Sequence, residues 1–350
     1  MAMMPDRPEG DNSMKISYFS VQDHYPDRAR SVAELYQQVL RQGDLAEELG
    51  YHGFFVAEHH FHEYGTVPNP AVMLSAIGQR TKNLKLGSAI SVLTFHDPLT
   101  IAENYAMVDV LSGGRTILGV GSGYLKHEFE GYAVAPAEKR GRFDENLAIL
   151  KQALAGTRFS YSGTYRSVDN VKLNISPVRS SIPIYVAVLA REAAYHVGRQ
   201  GNNIMCVPYA SLDKFDELAG LVGEFKRGRG ESEQPPTDDD NIFAFHTHIA
   251  ESDAACRERA AEAFDLYVAT RLYAKRHTYA DIIKSDLGLF GSVDTVADKL
   301  VRLHQMGVTH VMTLQNFGFL PEKHVHESMT LMANEVIPRV RRRLERLAAA

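Results

Sequence analysis

Leu84-Lys85-Leu86-Gly87-Ser88-Ala89-Ile90-Ser91-Val92 is a short apolar run followed by helical spacing over 99–111 and a second short run, Arg115-Thr116-Ile117-Leu118-Gly119-Val120. A β-rich run, an apolar helix and another β-rich run read as two parallel strands joined by a crossover helix. Working outward towards the N-terminus, 15–21 and 53–58 read as strands, with helices at 32–49 and 69–79. Towards the C-terminus a helix at 142–154 is followed by a stretch, 159–177, where Ser162-Gly163 and Asp169-Asn170 punctuate alternating Tyr, Val and Leu residues. That stretch predicts an inserted hairpin. The rhythm resumes with strands at 184–188, 203–206, 242–249 and 309–314, and with helices at 192–200, 211–226, 252–273 and 323–347. Eight β/α units are countable, so the expected fold is α/β, a (β/α)8 TIM barrel with insertions.

Composition bounds the rest. The chain has 350 residues, 45% hydrophobic and 23% charged, within the range of globular domains. A barrel of about 250 residues plus insertions accounts for residues 14–350 as one domain, behind a polar, Pro- and Gly-bearing tail at 1–13 that reads as flexible. Net charge is −5, so nucleic acid and anionic membrane are not expected partners. Cys206 and Cys256 are too few for a disulfide framework. The start lacks the apolar stretch of a secretory signal, and the protein reads as cytoplasmic.

In a barrel of this class the active site lies at the C-terminal ends of the strands. The best candidate there is Glu58-His59-His60, directly after Phe54-Phe55-Val56. Side chains alternate along an extended chain, so Glu58 and His60 are expected on one side and His59 on the other. A neutral imidazole beside a carboxylate takes or gives a proton near neutral pH; the same residues in a plain loop would only satisfy one another's hydrogen bonds. His59, His60 and His62 lie close in sequence, as do His246 and His248. Adjacent histidines rarely chelate one ion and no zinc spacing is present, so no metal is expected.

The run Gly119-Val120-Gly121-Ser122-Gly123-Tyr124 lacks the third glycine and the following helix of a dinucleotide loop. Its glycines instead permit a flat ligand to approach the strand end. At the start of the helix after 184–188 stands Ala190-Arg191-Glu192-Ala193, where backbone N–H groups and Arg191 offer an anion site, or Arg191 forms an ordinary surface salt bridge with Glu192 or another acid. The polar, aperiodic stretch 275–291 has the length of a lid.

Taken in order, these segments resemble the bacterial luciferase-like flavin-dependent monooxygenases over 14–343. The most specific piece is Glu58-His59-His60-Phe61-His62-Glu63-Tyr64-Gly65 with Asn69-Pro70. It is joined by Leu86-Gly87-Ser88-Ala89-Ile90, Ser112-Gly113-Gly114-Arg115, Gly121-Ser122-Gly123-Tyr124 and Gly291-Ser292-Val293-Asp294. The resemblance implies reduced FMN as co-substrate, delivered by a separate NAD(P)H:flavin reductase, with O2 and a small-molecule substrate. His59 then matches the histidine that assists formation and turnover of a flavin C4a-hydroperoxide, with Glu58 beside it. Ala89 and Ile90 match a pair joined by a non-proline cis peptide beneath the flavin. Residues 190–193 match the flavin-phosphate loop, and the family implies a homodimer through the second and third helices. Ala71, Val72, Ser75, Ala76, Ala102 and Ala106 are the small and apolar residues there.

Two positions depart from the family pattern. Gly121 stands where luciferase has a reactive cysteine, and Ser122 where it has a phosphate-contacting arginine. Thiol chemistry and light emission from a fatty aldehyde therefore do not carry over, and phosphate binding falls to Ser122, backbone amides and Arg191. Two other readings share the fold: an F420-dependent oxidoreductase, and a non-catalytic flavin-binding protein.

Overall fold

The computed structural model describes residues 14–179, 181–234, 241–270 and 277–349. The tail expected at 1–13 lies outside the described residues. The strands in chain order are β1 (Lys15–Ser20), β2 (Gly53–Val56), β3 (Lys85–Val92), β4 (Thr116–Gly121), β5 (Phe159–Ser162), β6 (Ser167–Val171), β7 (Ile184–Val188), β8 (Asn203–Cys206), β9 (Asn241–Ala250), β10 (Leu289–Ser292) and β11 (His310–Asn316). Eight of them pair in parallel in the order β11-β1-β2-β3-β4-β7-β8-β9, and β9 pairs with both β8 and β11. The ring closes as the eight-unit count predicts. Every residue of β4, β9 and β11 is buried, which is why those strands read as unbroken apolar-dominated runs with helices covering them.

The helix starts follow local chemistry. Ser31 and Glu34 form a capping box ahead of Val32–Glu48. Asn69 and Asp97 cap helices Pro70–Arg80 and Pro98–Ser112, each with proline in the first turn. The predicted hairpin is present, with β5 and β6 antiparallel.

Two expectations need correction. The helix placed at 211–226 is a short turn, Pro208–Ser211, followed by a helix at Glu217–Gly230. Beyond its end, residues 235–240 lie outside the described residues. Of the lid stretch 275–291, residues 275 and 276 also lie outside, but 277–291 is built into the body. Thr278 and Asp281 form a capping box on helix Tyr279–Ser285, and β10 follows. Tyr279, Ile282, Leu287, Leu289 and Phe290 are buried. A seven-residue helix and a four-residue strand are too short for their periodicity to be read. β10 pairs with Thr247–Ala250 of β9, beyond the Ile242–His246 segment that pairs with β11, so it extends the sheet above the ring.

Helices Pro70–Arg80 and Pro98–Ser112 pack side by side outside β3 and β4. Ala71, Ala102 and Ala106 are buried, while Val72 and Ala76 face outward with Met107, Val110 and Leu111. No helix among the described residues is long and apolar enough to cross a membrane.

Candidate active site

β2 ends at Val56, and the next turn splits Glu58-His59-His60 onto two sides, as alternation predicts. On one side the buried Glu58 Oε1 lies 3.0 Å from His60 Nε2 and 2.6 Å from Nε2 of His96, which comes from the loop after β3. Burial pushes the Glu58 carboxyl up, but hydrogen bonds from His60 and His96 outweigh it and hold the group below the usual carboxylate range. For His96, burial favours the neutral ring, and the bond and charge of Glu58 overrule it, raising its pKa. The other nitrogen of His60 lies 3.0 Å from the Tyr132 hydroxyl. Burial, then the charges of Glu58 and Glu128, push that phenol up to about 12, so it stays protonated.

On the other side, His59 Nδ1 sits 3.3 Å from the Tyr64 hydroxyl and 3.5 Å from Glu128 Oε1. The same Glu128 oxygen accepts the His60 backbone N–H at 3.1 Å. Glu128 is buried on the short helix Lys126–Gly131 that follows β4. The His59 backbone N–H donates to Val67 O at 3.1 Å. Gly65 closes the turn, and a Cβ there would lie 2.4 Å from His59 Cδ2, so only glycine lets the ring lie against this loop. The imidazole is thus held from three directions, with a carboxylate at one nitrogen.

The remaining expected positions ring the same mouth, on strands that are neighbours in the barrel. The Ala89–Ile90 peptide is cis, as expected, and coincides with a break in the β3–β4 register. Gly121 is the last residue of β4; a Cβ there would lie 2.1 Å from Ile90 Cδ1 and 3.3 Å from Ala187 Cβ. Ser122 follows, its carbonyl accepting the Thr94 hydroxyl at 3.0 Å, and the Tyr124 side chain is exposed. After β7, Ala190 starts helix Arg191–Arg199 with no side-chain cap. Its first-turn N–H groups therefore lack the side-chain acceptor that Ser31, Asn69 and Asp97 give other helices. Arg191 reaches across to Glu217 O at 3.4 Å, and Glu192 is exposed in the first turn.

Sequence reasoning passed over His96, Glu128 and Tyr132, and named Tyr64 only as part of the 58–65 motif. His96 and Glu128 stand in the βα loops after β3 and β4, so the rule that put weight on Glu58 would have flagged them. Nothing in the sequence pairs them with His60 and His59. An open groove of ≈ 810 Å³ beside Arg30, Gln38 and Arg41 is walled by helix Val32–Glu48 and its approach.

Residues 14–310 match the family profile described as luciferase-like monooxygenase. The chain belongs to that family. Among solved structures this luciferase-like chain is similar to the monooxygenase RslO1 from Streptomyces bottropensis, with TM-score 0.84, 24% identity, 93% of this chain and 99% of that one covered. It is also similar to the oxygenating constituent of the 3,6-diketocamphane monooxygenase of Pseudomonas putida, solved with FMN, with TM-score 0.77, 18% identity, 94% and 99% covered. At these identities the likeness shows the shared fold. An uncharacterised protein of Sinorhizobium fredii is 34% identical over 59% of this chain, a match spanning 62% of that protein's length. An F420-dependent glucose-6-phosphate dehydrogenase of Mycolicibacterium smegmatis is 32% identical over 55% of this chain and 59% of its own. The proteins it resembles thus include a monooxygenase solved with FMN and an F420-dependent dehydrogenase.

Proposed function

We propose that this protein is the oxygenase of a two-component system, taking reduced FMN from a separate NAD(P)H:flavin reductase and inserting one atom of O2 into a small organic substrate. The other oxygen atom leaves as water, and the flavin leaves oxidised. The observation that carries the reading is the His59 imidazole held by Glu128 and Tyr64 in the loop after β2.

The residues present fit FMN. A side chain at position 121 would fill the space next to Ile90 and Ala187, so glycine keeps that strand end open to a flat ring. The uncapped start of helix Arg191–Arg199 provides backbone donors for a phosphate, with Ser122 and Arg191 completing the anion site. Tyr124 supplies an exposed ring at the same mouth. Bound reduced FMN would supply the two electrons that activate O2.

The chain's own part is proton management and shielding. His59 holds or moves a proton at its imidazole, and Glu128 fixes the ring and stabilises its charged form. Glu58, bonded to His60 and His96, is the second catalytic candidate, on the opposite side of the segment from His59. The outward face of Val72, Met107 and Leu111, 68%, 51% and 51% exposed, supports a homodimer through the second and third helices.

A second reading, an F420-dependent oxidoreductase, is favoured by the likeness to the Mycolicibacterium enzyme. Anaerobic titrations with reduced FMN and with F420 in parallel, followed by O2 and product analysis over a substrate panel, separate the two. Oxygenated product with FMN supports the proposal; F420 binding with hydride transfer and no oxygenation overturns it.

A further inference from the structure

We propose that Glu58, His60 and His96 form a binding site for a borderline divalent cation of the Zn2+ class, on the side of the segment opposite His59. Glu58 Oε1, His60 Nε2 and His96 Nε2 converge from two different βα loops, all within 4.8 Å of one another. The two nitrogens stand 3.0 and 2.6 Å from the carboxylate oxygen. Ligands at about 2.0–2.2 Å around a tetrahedral ion are about 3.4 Å apart. The two nitrogen–oxygen separations therefore need to open by less than about 1 Å to hold one.

Charge points the same way. Among the described residues Glu58 pairs with the two histidines and with no lysine or arginine. A buried carboxylate needs a compensating cation. A divalent ion held among the three groups supplies one.

The surroundings are those of a braced ligand set. With His60 bound through Nε2, its Nδ1–H faces the Tyr132 hydroxyl at 3.0 Å, the outer partner that fixes a ligating imidazole. The His60 main chain is pinned at both groups, its N–H by Glu128 and its C=O by His127 Nε2 at 3.0 Å. The His96 carbonyl accepts from Asn146 at 3.2 Å. The His96 side chain is 22% exposed, which gives an ion and a fourth, water ligand a way in. Two nitrogens and one oxygen select a Zn2+-like ion over Mg2+ or Ca2+. Such an ion would grip the residues on either side of His59 and stiffen the turn that presents it.

The test needs no flavin, so it stands or falls apart from the oxygenase reading. Untagged full-length protein is stripped with chelator, titrated with Zn2+ by calorimetry, and assayed for metal after dialysis. Co2+ is then added and its visible absorption recorded. The expected result is one ion per chain, a tetrahedral Co2+ spectrum, and affinity lowered at least tenfold in His96→Ala but retained in His62→Ala. Glu58→Gln should behave as His96→Ala; if it fails to fold, the partly exposed His96 variant decides. Absence of stoichiometric binding, or binding that survives His96→Ala, overturns the proposal.

Discussion

The two ends of the barrel carry similar polar side chains and use them oppositely. At the N-terminal end Arg115, just before β4, donates to Thr81 Oγ1 and the carbonyls of Leu84, Gly78, Thr81 and Ser112, all at 2.7–3.0 Å. His310, the first residue of β11, shares a 2.7 Å bond with Ser17 Oγ. At the C-terminal end His59, His60 and His96 lean on carboxylates and phenols. Backbone acceptors cannot change protonation, so the lower end stores stability. Side-chain partners can, so the upper end stores reactivity.

The largest effect expected from this contrast is at Arg115. Arg115→Met leaves five acceptors, four of them buried, without their donor and should cost about 3–5 kcal/mol, read by urea denaturation, with turnover per folded molecule unchanged. Next, His59→Ala should lower oxygenation about 10²-fold while the melting temperature barely moves. Should the first variant lose activity without losing stability, or the second the reverse, the division between the ends would be wrong.

A pH experiment sharpens the lower end. Burial pushes His310 down to about 3, so the folded protein resists protonating it while the unfolded chain protonates near 6.5. The unfolded state then binds more protons between those values, and stability falls as pH drops below about 6.5. The contribution is flat above about pH 7 and declines by up to about 1.4 kcal/mol per pH unit below it. Denaturation midpoints at several pH values should show a shallower acid slope in His310→Asn. At the upper end Glu128→Gln should lower turnover about tenfold, retain flavin binding, and shift the pH profile of turnover. An unmoved profile would reduce Glu128 to packing.

The barrel was legible because its strands are buried and its crossover helices are long enough to show their period. The motif at 58–60 was legible because it stands where a strand must end. What the sequence hid was pairing across loops: Glu128 to His59 spans 69 positions and His96 to Glu58 spans 38, distances over which no local pattern carries information. The stretch 275–291 misled for the opposite reason. The polar residues of 279–285 belong to a short capped helix whose buried side, Tyr279 and Ile282, offers only two apolar positions to read.

The most direct test of the central claim is isotope transfer from labelled O2. The protein, chemically reduced FMN and heavy-isotope O2 are mixed over a panel of small organic substrates, and products are read by mass spectrometry. The account predicts one labelled oxygen atom per product molecule, with the label lost in His59→Ala although reduced FMN still binds. Products without label, or labelled product undiminished in His59→Ala, would contradict it.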